Sequence, residues 1–165
     1  MDALVVYYSR TGHTRRLAKC IAEVADADLE EITEAGDHEG PWGWFKCVLE
    51  AAGGLMPRLL DPIEPPAGRD IVFLGGPLWM GRCAPAVRAY ARERLHGADR
   101  VAFFATQGAG SPQRAWSDLE ALARMPPAAR LAIRHRDLGD PALREQVQRF
   151  VRTAGRRPRL SRGRA

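Results

Sequence analysis

The sequence predicts an α/β fold of three layers, in which helices cover both faces of a five-stranded parallel sheet. Three apolar runs rich in β-branched and aromatic residues are typical of strands buried on both faces: Ala3–Tyr8, Ile71–Gly75 and Arg100–Ala105. Segments with apolar residues at helical spacing separate these runs, and such alternation indicates parallel strands joined by right-handed crossovers. The strand order 2-1-3-4-5 is one common solution, and it places a ligand crevice beyond the strand ends where the order reverses.

The first three elements follow one another closely. The strand Ala3–Tyr8 leads into a predicted helix over 14–25, in which Leu17, Ile21 and Val24 recur at helical spacing. A weaker strand is predicted over Asp28–Thr33, where apolar residues are fewer. These elements form the first strand, the first helix and the edge strand of the sheet.

Gly36–Pro66 is the least regular stretch of the chain. Pro41 is expected to open a short helix there, because proline is favoured at the first helical position. We expect its aromatic residues, Trp42, Trp44 and Phe45, to pack on the sheet. A contact with a bound ligand or with a second molecule is the alternative.

The remainder of the chain alternates regularly between strands and helices. In chain order we predict a strand over Ile71–Gly75, a helix over Pro85–Leu95, a strand over Arg100–Ala105, a helix over Pro112–Arg124 and a strand beginning at Leu131–Ile133. Asp140 and Pro141 are predicted to open a last helix, since aspartate suits the N-cap and proline the first turn.

Length and charge indicate one domain followed by a basic tail. The 165 residues are enough for one domain, which we place at 1–154. The formal net charge is +5, and the tail 155–165 holds five arginines and no acidic residue, so the remainder is formally neutral. We expect the tail to be disordered and to bind no nucleic acid, although nucleic-acid binding is the alternative interpretation of a basic arm.

Several function classes lack support in the sequence. No apolar run approaches the roughly 20 residues of a membrane helix, and the N-terminus has no basic leader, so we predict a cytoplasmic protein without a membrane span. The three cysteines, Cys20, Cys47 and Cys83, fit neither a disulfide framework nor a paired metal site. No catalytic triad, metal-ligand cluster or carboxylate pair stands out, so we predict neither catalytic nor metal-ligating residues.

The loop after the first strand is suited to an anion. It joins a buried strand to a helix N-terminus, where N–H groups and the helix dipole favour negative charge. Ser9, Thr11 and Thr14 add hydroxyl donors, and Gly12 lets the backbone turn closely around a phosphate. Neither the GxGxxG fingerprint nor the GxxxxGK[ST] loop occurs here. A helix cap without a ligand is the plainer alternative.

The loops after the third and fourth strands are suited to a flat ring. Between Gly76 and Arg82, Trp79 offers an apolar face for stacking, and Met80 can fill irregular space beside it. The glycines of Thr106–Pro112 allow close approach of backbone N–H groups. The topology brings all three loops to one crevice, which therefore fits a phosphate joined to a heterocycle.

The chain resembles the flavodoxin family over about residues 2–152. The first strand followed by S-x-T-G-x-T resembles the loop that holds the phosphate of FMN, and G-x-P-x-W-x-G at 75–81 resembles a loop against the isoalloxazine ring. The resemblance implies FMN as cofactor and a flavodoxin-like fold. It assigns the phosphate to Ser9, Arg10, Thr11, Gly12, His13 and Thr14, and the ring to Pro77, Leu78, Trp79, Met80, Gly81, Thr106, Gln107, Gly108, Ala109 and Gly110.

Three functions stay open at this point. The first is an electron carrier between a reductase and an acceptor protein; the second is an NAD(P)H-dependent quinone or flavin reductase. Arginines near the loops, such as Arg10, Arg15 and Arg82, would attract a phosphorylated nicotinamide or an acidic partner. We favour the carrier because no nicotinamide site is visible. The third is a flavin-free signalling module, which would need acidic residues at the strand ends, where Ser9 and Thr106 stand.

Two further residue types receive default roles. His13 is expected to contact the anion, whereas His38, His96 and His135 are scattered and are expected to have surface or capping roles. Cys83, just past the ring loop, is expected to be a small loop residue, and a redox-sensing thiol is the alternative.

Overall fold

A computed structural model describes residues 1–34, 56–60 and 64–156. Its strands are β1 (Ala3–Tyr7), β2 (Asp28–Glu31), β3 (Ile71–Trp79), β4 (Arg82–Cys83), β5 (Val101–Gln107) and β6 (Arg130–Arg134). Its helices are α1 (His13–Ala25), α2 (Pro85–Glu93), α3 (Gln113–Ala123), a 3₁₀ helix (His135–Gly139) and α4 (Leu143–Gly155). None of the helices in these ranges has the length and apolarity that crossing a membrane requires.

The sheet has the predicted order. Five parallel strands run β2-β1-β3-β5-β6, and β4 is an additional two-residue strand paired with β3 alone. When β4 is left out, the order is 2-1-3-4-5, so the prediction is confirmed. The central register places Leu4 beside Val72 and Phe73 beside Ala102. The carboxyl ends of β1, β3 and β5 therefore meet at one edge, where the three loops begin.

Two apolar layers lie on the two faces of the sheet. On one face Val5, Phe73 and Phe104 pack with Leu17 of α1 and Phe150 of α4. On the other face the alternate residues of the same strands pack against α2 and α3; they include Val6, Leu74, Phe103, Val87 and Leu119. Because successive side chains point to opposite faces, strands covered on both sides need the continuous apolar runs seen in the sequence.

The third strand is longer than predicted. It continues past Gly75 to Trp79 and turns back through Met80 and Gly81 into β4, where Trp79 pairs with Arg82. Both turn residues have positive φ, 51° and 77°, as in a two-residue type I′ hairpin. The segment predicted as a loop is thus a short hairpin that extends the sheet edge.

The last helix begins later than predicted, at Leu143. Asp140 still caps locally, because its Oδ1 accepts a hydrogen bond of 2.7 Å from the N–H of Ala142, but Pro141 lies in the turn before the helix. The predicted short helix from Pro41 and its aromatic residues lie outside the described residues, as does the tail beyond Arg156.

Candidate functional site

The N-terminus of α1 offers free N–H groups. Gly12 is its N-cap residue, with φ of 86° and no side chain to bond the first turn. Nothing lies within 4 Å of the position that a Cβ of Gly12 would take, so the approach to this turn is open. The first intrahelical bond runs from the N–H of Arg16 to the carbonyl of Gly12 at 3.0 Å. The N–H groups before it and the positive end of the helix dipole are suited to an anion.

A buried pair of hydroxyls joins the first loop to β5. Thr14 Oγ1 and Thr106 Oγ1 lie 2.7 Å apart, and their residues are 1% and 0% exposed. One of the two hydroxyls donates to the other, which leaves the accepting hydroxyl with its own O–H to donate elsewhere. The structure thus brings together two predicted site residues from distant parts of the chain.

Two buried polar atoms at the same edge have no hydrogen-bond partner. They are Ser9 Oγ, two residues after β1, and Gln107 Oε1, at the end of β5. The amide of Gln107 is oriented by a bond from its Nε2 to the carbonyl of Gly110 at 3.3 Å. A buried unpaired polar atom costs about 1–3 kcal/mol, so both atoms are suited to a ligand that carries polar groups of its own.

An aromatic pair lies between the first loop and the hairpin. The rings of Tyr8 and Trp79 meet edge to face, with centroids 6.1 Å apart and planes at 83°. Tyr8 is held by its N–H, which donates to the carbonyl of Gly75 at 3.1 Å. The sequence pattern did not single out Tyr8 as a site residue, because it predicts Tyr8 to be the last residue of the first strand; the available signal was an aromatic residue directly before Ser9.

The hairpin divides the residues predicted as one ring loop. Pro77, Leu78 and Trp79 belong to β3, while Met80 and Gly81 form the turn, with Met80 76% exposed. β3 approaches α2 closely behind the hairpin: a Cβ on Gly76 would lie 2.4 Å from Val87 Cγ2. This close contact fixes the position from which the hairpin projects.

The third predicted loop is also divided. Thr106 and Gln107 are buried residues of β5, whereas Gly108, Ala109 and Gly110 are exposed beyond the strand end. The strand residues lie in register with the hairpin, since Pro77 pairs with Thr106. Segments from all three loops therefore meet at the carboxyl edge of the sheet.

Two histidines stack beside the first loop. The imidazoles of His13, which begins α1, and His135, which begins the 3₁₀ helix, have centroids 4.5 Å apart and planes at 14°. Burial, and then the charge of His13, lower the pKa of His135. His135 thus has a partner that no local sequence pattern indicated.

The surroundings of Cys83 do not favour a reactive, redox-sensing thiol. It is fully buried in β4, and burial raises the pKa of its thiol to about 12. The thiolate, which is the reactive form, is therefore scarce at neutral pH. In the described ranges no group of three or more histidine, cysteine, aspartate or glutamate side chains could hold a metal ion.

The chain is similar in fold to solved flavoproteins. No family model matches it, and no curated protein does. A candidate flavoprotein from Bacteroides uniformis has a TM-score of 0.74 at 26% identity, covering 92% of this chain and 97% of its own. A flavoprotein from Lactobacillus acidophilus, solved in complex with FMN, has a TM-score of 0.67 at 22% identity. The match covers 79% of this chain and 92% of that flavoprotein.

A flavodoxin from the domain Archaea also has a similar fold. Its TM-score is 0.54 at 14% identity, and the match covers 94% of this chain and all of that one, 100%. Together with the strand order β2-β1-β3-β5-β6, these matches confirm the fold that the sequence predicts. The chain is, by its fold, a flavodoxin-like protein.

Proposed function

We propose that the chain binds FMN at the carboxyl edge of its sheet and works as a redox protein. The observation that carries this proposal is the uncapped N-terminus of α1 at Gly12, which lies at the same edge as the Tyr8–Trp79 pair. The first feature suits a phosphate and the second a flat ring. The Lactobacillus acidophilus flavoprotein, which was solved with FMN, supports the choice of cofactor.

The described residues suit the phosphate and the ring of FMN. The N–H groups around Gly12, with Ser9 Oγ and the Thr14 hydroxyl, would hold the phosphate, and Thr106 would orient the Thr14 hydroxyl from β5. Gln107 Oε1, an acceptor without a partner, would receive an N–H of the ring. FMN supplies the electron-transfer chemistry when bound, and the chain binds and orients it and excludes water.

The proposed role is that of an electron carrier between a reductase and an acceptor protein. The arginines that could attract a phosphorylated nicotinamide are partly neutralised: Arg15 pairs with Glu31 at 2.8 Å, and Arg82 with Asp118 at 3.1 Å. Pairing with a carboxylate leaves less positive potential for a second phosphate. A direct NAD(P)H-dependent reductase is the second candidate, and it is favoured by the number of basic residues near this edge, which also include Arg10 of the first loop and Arg114 in the first turn of α3.

Two measurements test the proposal. Titration of FMN and of riboflavin into the purified protein should give a yellow complex with FMN and much weaker binding of riboflavin, which lacks the phosphate. A protein that takes up neither flavin contradicts the proposal.

Stopped-flow mixing of the FMN complex with NADPH then separates the two roles. Slow or absent bleaching without an added reductase supports the carrier. Rapid bleaching supports the reductase.

A further inference from the structure

The stacked histidines stand at the turn where the proposed phosphate site lies. His13 is the first residue of α1, directly after Gly12, and its imidazole is exposed. His135 is partly buried, and its ring covers that of His13 at 4.5 Å with planes nearly parallel. The pair therefore connects the anion-accepting turn to the end of the last strand.

Two imidazoles in this contact are not readily protonated at the same time. An imidazolium stacked on a neutral ring is tolerated, whereas two imidazoliums at 4.5 Å repel each other. In agreement with this, burial and then the charge of His13 lower the pKa of His135. His135 is thus less readily protonated than an isolated histidine until a negative charge arrives beside the pair.

Charged groups of both signs lie on the elements that pack against the 3₁₀ helix. The 3₁₀ helix itself carries Arg136 and Asp137, which pair with each other at 3.5 Å. Groups on the neighbouring elements include Arg16 and Glu23 of α1, Arg134 of β6, Asp140 of the following turn and Arg144 of α4, which pairs with Glu23 at 3.6 Å. Two of these arginines are thus paired with carboxylates, so their charge is partly compensated.

We propose that His13 and His135 act as one proton-accepting unit of the phosphate site, so that the protein takes up a proton when FMN binds. His13 would contact the phosphate and take up the proton, and His135 would be a positioning residue whose neutral ring stacks on the His13 ring and holds it in place. This inference rests on the proposed function, since it needs the phosphate at the N-terminus of α1. It assigns a role to a residue, His135, that lies outside the three loops of the site.

The direction in which pH changes the affinity for FMN follows from the linkage between proton binding and FMN binding. A phosphate raises the pKa of a neighbouring imidazole, so the complex binds more protons than the free protein and FMN is held more tightly as the pH falls from 8 to 6. One fully linked proton changes the dissociation constant about tenfold per pH unit, which is the upper limit of the effect. The second ionisation of the phosphate, with a pKa of about 6, acts in the opposite direction below that pH.

The experiment measures the FMN dissociation constant between pH 6 and 8 by quenching of flavin fluorescence. Wild type, His135→Gln, His13→Gln and His96→Gln are compared, the last as a matched control because His96 is an exposed histidine away from the pair. Calorimetry in two buffers of different ionisation enthalpy counts the protons taken up. Riboflavin, which has no phosphate, is titrated in parallel.

We expect wild type and His96→Gln to bind FMN severalfold more tightly at pH 6.5 than at pH 8, with proton uptake. His135→Gln and His13→Gln should lose most of this slope, and riboflavin should show none in any variant. FMN binding without proton uptake, or an unchanged slope in His135→Gln, overturns this inference alone. A chain that refuses FMN at every pH overturns the proposed function as well.

Discussion

The two ends of the parallel sheet differ in how completely their polar groups are paired. At the amino end, Arg69 bonds three carboxylates at 2.6–2.7 Å, those of Asp2, Asp28 and Glu64. At the carboxyl end, the buried atoms Ser9 Oγ and Gln107 Oε1 have no partner and α1 has no side-chain cap. The network at the amino end thus stabilises the fold, whereas polar atoms stay unpaired at the carboxyl end, where open α/β sheets generally bind their ligands.

The largest effect we expect comes from the packing beneath the carboxyl end. A Cβ on Gly75 would lie 2.4 Å from the backbone carbonyl oxygen of Phe104, which cannot move without breaking the β3–β5 pairing. Gly75→Ala should therefore destabilise the fold by about 3 kcal/mol. Gly108→Ala is the matched control, since nothing lies within 4 Å of its Cβ, and its effect should stay below about 0.5 kcal/mol. Urea unfolding of both variants measures the difference.

The next effect concerns the ligand. Trp79→Ala removes the larger ring of the aromatic pair and should weaken FMN binding about tenfold and shift the reduction potential, because stacking on an aromatic face is worth 1 kcal/mol or more. Trp79→Phe keeps a flat ring and should retain most of the affinity. If Trp79→Ala leaves both the affinity and the potential unchanged, Trp79 does not belong to the site.

A smaller effect is expected at the amino end. Arg69→Met removes the shared partner of three carboxylates, two of them on exposed side chains, and should cost about 1 kcal/mol of unfolding free energy, less at high salt. The affinity for FMN should not change, because the network lies at the opposite end of the sheet from Gly12. A weakened affinity would show that the two ends are not independent.

The smallest effect is a pH dependence of the free protein. The pKa of His135 is below its ordinary 6.5 in the folded state, so the unfolded chain binds more protons and stability falls as the pH drops below 6.5. The melting temperature of wild type should decline in that window more than that of His135→Gln. Bound FMN should reverse the direction in which the melting temperature changes with pH, since its phosphate favours protonation of the histidine pair. Equal pH profiles for the two proteins would contradict the low pKa.

The sequence predicted the fold well because the fold is repetitive. The buried runs Ala3–Tyr8 and Ile71–Gly75 alternate with amphipathic helices, and that alternation permits few topologies. The hairpin from β3 to β4 was missed because Met80, at φ of 51°, occupies a backbone region that its side chain rarely adopts. Nothing local in a sequence marks such a turn.

The candidate site was predicted only in part, because some of its contacts join residues that are far apart in the chain. The Gly12 turn was visible because strand, glycine and hydroxyl residues stand together in the chain. The contact of Thr14 with Thr106 and the stacking of His13 on His135 join residues that only the folded topology brings within reach. Such long-range contacts produce no periodic pattern in the sequence, so one sequence alone does not reveal them.

The hydroxyl contact between Thr14 and Thr106 has a consequence for how the protein meets its ligand. Because both residues are buried and 2.7 Å apart, the first loop and the end of β5 are already held in place before anything binds. Little conformational freedom remains there to be lost on association, so encounter by diffusion, and not a slow rearrangement of the chain, should govern how fast the cofactor enters.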